Sequence, residues 1–302
     1  MSTPSPEEQQ PLHYRQNKIP STSSGNIYSL LDEEQKKFAD TKKVSATHRL
    51  RQWLKFFEKT EAYDERLDYE YTWLGGCSPY ALLILGFIGS IVGFANQFIW
   101  LFIPALLAFI AGIVMIVAGK NNRRRQINNH FRLYVLPLLH ILREDAGDEA
   151  RVQLNCDFSD FELPAYAIKP PAHAPQVPSN TQQEYFEVKW LEMQIELLDK
   201  TELKIELSDL VRRRTRRRRN PRGKMKTKIK HKTTHKIKLK IAFHKDRYKP
   251  DGLGGALAYE RDGDYYQYTI EQKHRIEGVP NHQDVSPLLA AIADGYRRVK
   301  PV

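Results

Sequence analysis

The sequence predicts a membrane protein: a two-helix transmembrane hairpin joined to a cytoplasmic α+β domain with an antiparallel sheet. Three observations carry this. From Tyr71 to Gly119 the chain has no Asp, Glu, Lys or Arg. From Tyr185 onward the apolar period becomes two, with turn signals between the runs. The net charge of +11 is concentrated between Arg212 and Lys249, where the only acid is Asp246, so the rest of the chain is net acidic. Such a distribution predicts a local polyanion-facing surface, not a generally basic coat.

Residues 1–25 are rich in Pro, Ser, Gln and Glu and read as a disordered tail. They lack the apolar core and cleavage pattern of a secretory signal. Residues 26–72 read as a cytoplasmic amphipathic helical segment, with Leu50, Trp53, Leu54 and Phe57 at helical spacing. Its basic shoulders suit either the membrane interface or packing on another cytoplasmic segment. The acids that follow (Glu58, Glu61, Asp64, Glu65, Asp68 and Glu70) suit a partner role for the basic window.

Residues 73–119 read as the transmembrane hairpin, with spans at about 79–95 and 98–118 divided by Asn96–Gln97. Each is about long enough to cross a hydrocarbon core of roughly 30 Å. Gly86, Gly89 and Gly93 on the first span, with Ala108 and Gly112 on the second, let helix backbones approach closely. They serve packing within the hairpin or, in a homo-oligomer, between copies. Basic residues flank both outer ends and none lies in the connection, which places both termini in the cytoplasm. With no ionisable group in either span, the hairpin reads as an anchor, not a transport path.

Residues 120–147 continue as a juxtamembrane helix, bent or interrupted at Pro137 and stopped at Gly147. The cytoplasmic domain spans 148–302. It contains the strand-like "ARVQLNCDF" and a Pro-rich loop at 163–183. A three-residue connection at Asp199–Thr201 predicts a hairpin with Leu197 opposite Leu203 and Ile195 opposite Ile205. Asp262–Gly263 signals a second hairpin. Ser286 and Pro287 open a closing amphipathic helix that runs to about Arg297.

The basic element, 212–249, is the candidate site. Lys224, Lys226, Lys228, Lys230, Lys232, Lys236, Lys238 and Lys240 share one strand phase, and Met225, Ile229, Ile237, Leu239, Ile241 and Phe243 share the other. One long strand with a cationic outer face and an apolar inner face satisfies this phase, whereas a turn at Thr233–Thr234 would mix the faces. Arg212, Arg213, Arg214, Arg216, Arg217, Arg218, Arg219 and Arg222 precede it as an arginine-rich connection, at a hairpin tip or on a short helix begun by Ser208. The lysine face suits anionic lipid headgroups. It also suits nucleic acid held by phosphate contacts, salt-sensitive and weakly sequence-specific because no aromatics are interleaved. It further suits plain solvation that guards a sheet edge, or a sorting signal.

No phosphate-binding glycine loop, nucleophile elbow or zinc-protease helix occurs. "GLGGAL" at 252–257 reads as a loop. His231 and His235 lack further ligands at metal spacing, and no cofactor is expected. The expected function is non-enzymatic: a membrane-anchored protein presents a basic domain to anionic lipid, nucleic acid or another polyanion. The alternative is a self-associating membrane scaffold whose basic element is only solvated or pairs internally with acids.

Overall fold

The computed structural model describes residues 28–74, 77–95, 98–125, 127, 130–171, 178, 181–219, 221, 223–250, 260–280 and 284–302. The N-terminal tail, the divider Asn96–Gln97, Arg222 and the "GLGGAL" stretch lie outside them. The described residues fall into two compact units: one from 28–32 and 61–125, the other from 33–60 and 127–302.

The first unit holds the apolar helices. Helix α3 (Cys77–Ala95) and helix α4 (Ile99–Arg125) pack as an antiparallel pair. One stretch, Phe102–Lys120, is a helix long and apolar enough to cross a membrane, and Pro79–Ala95 is a shorter apolar helix. Glycine brings the two backbones together. A Cβ on Gly86 would stand 2.5 Å from the Phe109 backbone nitrogen, and one on Gly93 would stand 2.7 Å from that of Phe102. Gly89 faces the Ala105 methyl, and Gly112 faces Leu83 and the Pro79 carbonyl. Ala108 is half-buried. Outward-facing Leu85, Phe87, Phe94, Leu107 and Val114 are exposed.

The second unit is an antiparallel sheet in the order β1-β2-β4-β5-β6-β9-β8, with β3 also on β4. The strands are β1 (Lys43–Arg49), β2 (Arg151–Asp157), β3 (Ala167–Ile168), β4 (Thr181–Glu196), β5 (Glu202–Arg219), β6 (Met225–His244), β8 (Glu260–Asp262) and β9 (Tyr265–Glu277). A two-stranded sheet joins β7 (Tyr248–Pro250) to β10 (Val299–Pro301). Helix α1 (Glu33–Thr41), the start of α2 (Leu50–Leu74), α5 (Leu136–Ala146) and α6 (Ser286–Tyr296) contribute to a single core with the sheet. Alternation explains the layer. Val152, Leu154, Met193, Ile195, Leu203, Ile205, Leu207, Ile237, Leu239 and Ile241 are at most 1 % exposed, and their chain neighbours carry the polar face.

Several expectations change. Residues 33–60 fold with the sheet, so this unit does not begin at 148. The stripe Leu50, Trp53, Leu54 and Phe57 is buried in its core, and Trp53 Nε1 donates to the Val152 carbonyl at 3.0 Å. That settles its role as packing. Strand β1, unexpected from the sequence, pairs Val44 with Cys156 and Ala46 with Leu154. The β4–β5 hairpin pairs Ile195 with Leu203 and Met193 with Ile205, two residues from the expected register. A two-residue slip keeps every side chain on its face, so the core pattern survives it. The connection is longer than expected because Lys200 adopts a positive φ and the Asp199 carboxylate accepts from the Thr201 N–H.

The second hairpin turns on Gly263–Asp264, one residue later than expected, since Asp262 pairs with Tyr265. Pro137 sits at the start of α5, directly after a π-helical turn at Phe131–Val135, and Gly147 at φ 79 ends that helix. Asp284, not Ser286, supplies the acceptor at the start of α6, taking the Ser286 N–H at 2.8 Å.

Candidate functional site: a cationic β-ribbon

Strand β6 runs unbroken from Met225 to His244, through the threonines. The arginine block is not a loose connection or a helix. It is the second half of β5, which stays paired to Arg219. Leu, Val and Ile start β5, and the same two-residue period carries the arginines outward after the apolar positions end.

Register decides the electrostatics. Residues directly opposite in an antiparallel pair share a face. Arg212 faces Lys232, Arg214 faces Lys230, Arg216 faces Lys228 and Arg218 faces Lys226. Four successive rungs are therefore cation against cation. On the β4 side the neighbours are Tyr185, Gln183 and Thr181, opposite Arg212, Arg214 and Arg216. On the β9 side Glu277 stands opposite Lys232. Arg216, Arg218, Lys226, Lys228 and Lys230 are exposed, while Arg212, Arg214 and Lys232 are half-buried. The Arg214 Nε is shielded from water and has no hydrogen-bond partner among the described residues. Lys224 and Pro221 flank the turn and are exposed.

Nearer the core the same face is mixed. Lys238 lies between Glu206 and Glu271, and Lys236 Nζ meets the Glu187 carboxylate at 2.6 Å. Lys240 lies opposite Lys204, whose ammonium contacts Glu192 at 2.9 Å. The cations segregate only beyond Lys232.

The opposite face behaves differently along its length. Ile237, Leu239, Ile241 and Phe243 are buried, but Met225 and Ile229, in the same phase, are 63 % and 55 % exposed. An apolar inner face thus holds only for Thr233–Phe243. Arg213 lies on this face and is held by Glu184 (Nη2 at 2.6 Å) and Glu162 (Nη1 at 2.7 Å). The Glu184 hydrogen bond raises the Arg213 pKa above its ordinary value. His231 Nε2 lies 3.2 Å from Glu162. Further in, the ring of His235 meets Asp209 at 2.8 Å, both buried. Arg217 and Arg219 remain exposed.

Thus Glu162, Glu184 and Glu187 are acids that oppose cations of the basic element, and Glu58 contacts His140 at 3.7 Å. Strand phase counted back from Leu191 would turn Glu187 inward; the bulge between Lys189 and Leu191 places it on the lysine face instead, and Glu162 comes from the loop after β2 and carried no local signal. Edge protection does not describe most of β6, which lies between β5 and β9 from Lys232 on. No protein-family model, curated protein or solved structure matches the chain.

Proposed function

We propose that this is a non-catalytic, membrane-anchored protein whose β5–β6 ribbon binds a phosphate-rich polyanion. In this reading α3 and α4 cross the membrane as a hairpin and hold the sheet domain on the cytoplasmic side. The antiparallel packing of the two helices and their exposed apolar side chains support the anchor. A core helix of a soluble domain would bury such side chains, since each is worth about 1.5–3 kcal/mol on transfer from water. Basic residues at both outer ends (Lys59 and Arg66 before, Lys120 and Arg123–Arg125 after) support the orientation.

The observation that carries the binding role is the set of four Arg–Lys rungs. Like charges directly opposite one another destabilise a strand pair. A polyanion converts that repulsion into attraction, and each basic residue near an anionic surface contributes roughly 1 kcal/mol. The cations lie on an open sheet face, not in a cleft, which favours binding over catalysis. The glycine stripe does not favour the self-association reading, because Gly86, Gly89, Gly93 and Gly112 are taken up within the α3–α4 contact.

The test holds the full chain in neutral-lipid nanodiscs and titrates it with anionic vesicles, duplex DNA and RNA at low and physiological salt. A variant with Arg214, Arg216, Lys228 and Lys230 all changed to Gln is the comparison. Salt-sensitive binding that the variant loses is expected. Absence of binding to every anion refutes the reading.

A further inference from the structure

We propose that the polyanion is the anionic leaflet of the membrane that holds the chain, and that the ribbon enters it end-on, with Met225 leading. This rests on the polyanion-binding reading and adds the identity of the ligand and the mode of approach.

Three observations point the same way. First, the end of the ribbon is cationic on both faces: Arg216, Arg218, Lys226 and Lys228 on one, Arg217 and Arg219 on the other. A flat anionic surface lying against one face neutralises only that face. A headgroup layer entered end-on surrounds both. Second, the apolar phase of β6 continues past the core into Met225 and Ile229, both well exposed and set among cations. Exposed apolar side chains ringed by Lys and Arg are what an interfacial membrane contact requires. Met225 adjoins the turn, and Ile229 lies four residues behind it, about 13 Å along the strand. In this mode Met225 lies deeper than Ile229, toward the acyl boundary, while the charged heads of Lys224 and of Arg219, opposite Met225, reach back to the headgroups.

Third, only residues 121–126 separate Lys120, the end of the span-length apolar helix, from Ile127, the start of the sheet unit's second segment. Residues 121–125 still belong to helix α4, so at about 1.5 Å per residue the connection adds roughly 10 Å. Such a tether keeps the leaflet at high effective concentration, so any soluble polyanion competes with a surface that is always present. Nucleic acid is the weaker fit. No Phe, Tyr or Trp lies between Arg212 and Lys232 to stack on a base.

The test places an environment-sensitive fluorophore on Met225→Cys, Ile229→Cys or Leu198→Cys in the full chain, with Cys77→Ser and the buried Cys156 left in place. Leu198 is 72 % exposed and lies at the β4–β5 turn, the other end of β5. The chain is reconstituted in nanodiscs of neutral or anionic lipid carrying nitroxide-labelled acyl chains. Quenching is expected in anionic discs in the order Met225, then Ile229, with Leu198 unquenched, and little at any position in neutral discs. Met225→Ser should weaken capture of anionic vesicles about five-fold without unfolding an exposed position. An unquenched Met225 probe in anionic discs overturns the insertion. If the same chain still binds duplex DNA or RNA, the polyanion reading survives with a different ligand; if it binds no anion, both fall.

Discussion

Changing Lys228 to Glu should make the protein more stable and a poorer ligand binder at once. Lys228 lies opposite Arg216 in the middle of the cationic rungs, and both are exposed. With the charged heads about 6 Å apart in water, the parent rung costs about 0.7 kcal/mol, so reversing one sign is worth about 1.4 kcal/mol before screening. With a Debye length of about 8 Å at physiological salt, roughly half of this remains, about 0.7 kcal/mol. Exposed pairs seldom exceed about 1 kcal/mol, which agrees with that figure. The same change removes one cation and adds one anion at the binding face. At roughly 1 kcal/mol per charge, affinity for an anionic membrane should fall about thirty-fold.

Both quantities are measurable on the full chain in neutral nanodiscs. Denaturant unfolding followed by fluorescence of the buried Trp53 and Trp190 reads the stability. Titration with anionic vesicles reads the affinity. The stability gain should grow at low salt and shrink at high salt. Lys228→Gln should give about half of each effect. A less stable Lys228→Glu variant, or one that binds like the parent, would refute the reasoning: the first because the rungs would not be repulsive, the second because they would not be the binding face.

Three further outcomes follow from the packing. Trp53→Ala should destabilise the sheet unit by about 3–5 kcal/mol, seen as a lower denaturation midpoint, because the indole is fully buried against β2 and hydrogen-bonded to it. Gly86→Leu should break the α3–α4 pairing, since a first side-chain atom already meets the Phe109 backbone at 2.5 Å; thermal denaturation in detergent should show the loss for the isolated monomer, with no oligomer required. The third concerns acid. Asp199 is penalised by burial, but hydrogen bonds from Tyr248, Thr201 and Tyr296 outweigh this and lower its pKa below the ordinary carboxylate value. A depressed folded-state pKa contributes stability fully above the unfolded value, about 3.9, and loses it as pH falls through the lower folded value. Asp199→Asn should therefore flatten this acid limb of stability below about pH 4, whereas the parent should keep it.

Much of the sheet was legible because its strands alternate cleanly. The phase of β4 from Leu191, of the first half of β5 and of β6 from Thr233 predicted which residues turn inward, and the two-residue register difference left that assignment intact; a bulge reverses β4 before Leu191, and Met225 and Ile229 lie exposed. Strand β1 was not legible. In "KVSATHR" only Val44 and Ala46 are apolar, and the strand forms because β2 offers it an edge. The burial of Leu50, Trp53, Leu54 and Phe57 was ambiguous for a related reason: an amphipathic stripe does not say whether lipid or protein covers it. The apolar helices were visible from the missing charges alone, and their close approach from the glycine spacing. The ribbon was half legible. The lysine phase named one strand, but the arginine block hid another, because a run of like residues has no period of its own and takes the phase of the apolar residues before it.

The same dependence explains why the repulsive rungs exist. Leu203 with Ile241, Ile205 with Leu239 and Leu207 with Ile237 fix the register of β5 on β6 inside the core. A one-residue slip of β5 would turn its three outward, at a cost larger than four repulsions of under about 1 kcal/mol each. The core therefore dictates that Arg212, Arg214, Arg216 and Arg218 meet Lys232, Lys230, Lys228 and Lys226. It does not dictate what those residues are. Nearer the core the same two strands set Glu206 against Lys238, so opposite charges are compatible with this sheet and with solubility. Replacing either column of the outer rungs with Glu would keep the register and relieve the repulsion. On the proposed reading an anion bridges the rungs, and binding and stability should then move in opposite directions at these positions.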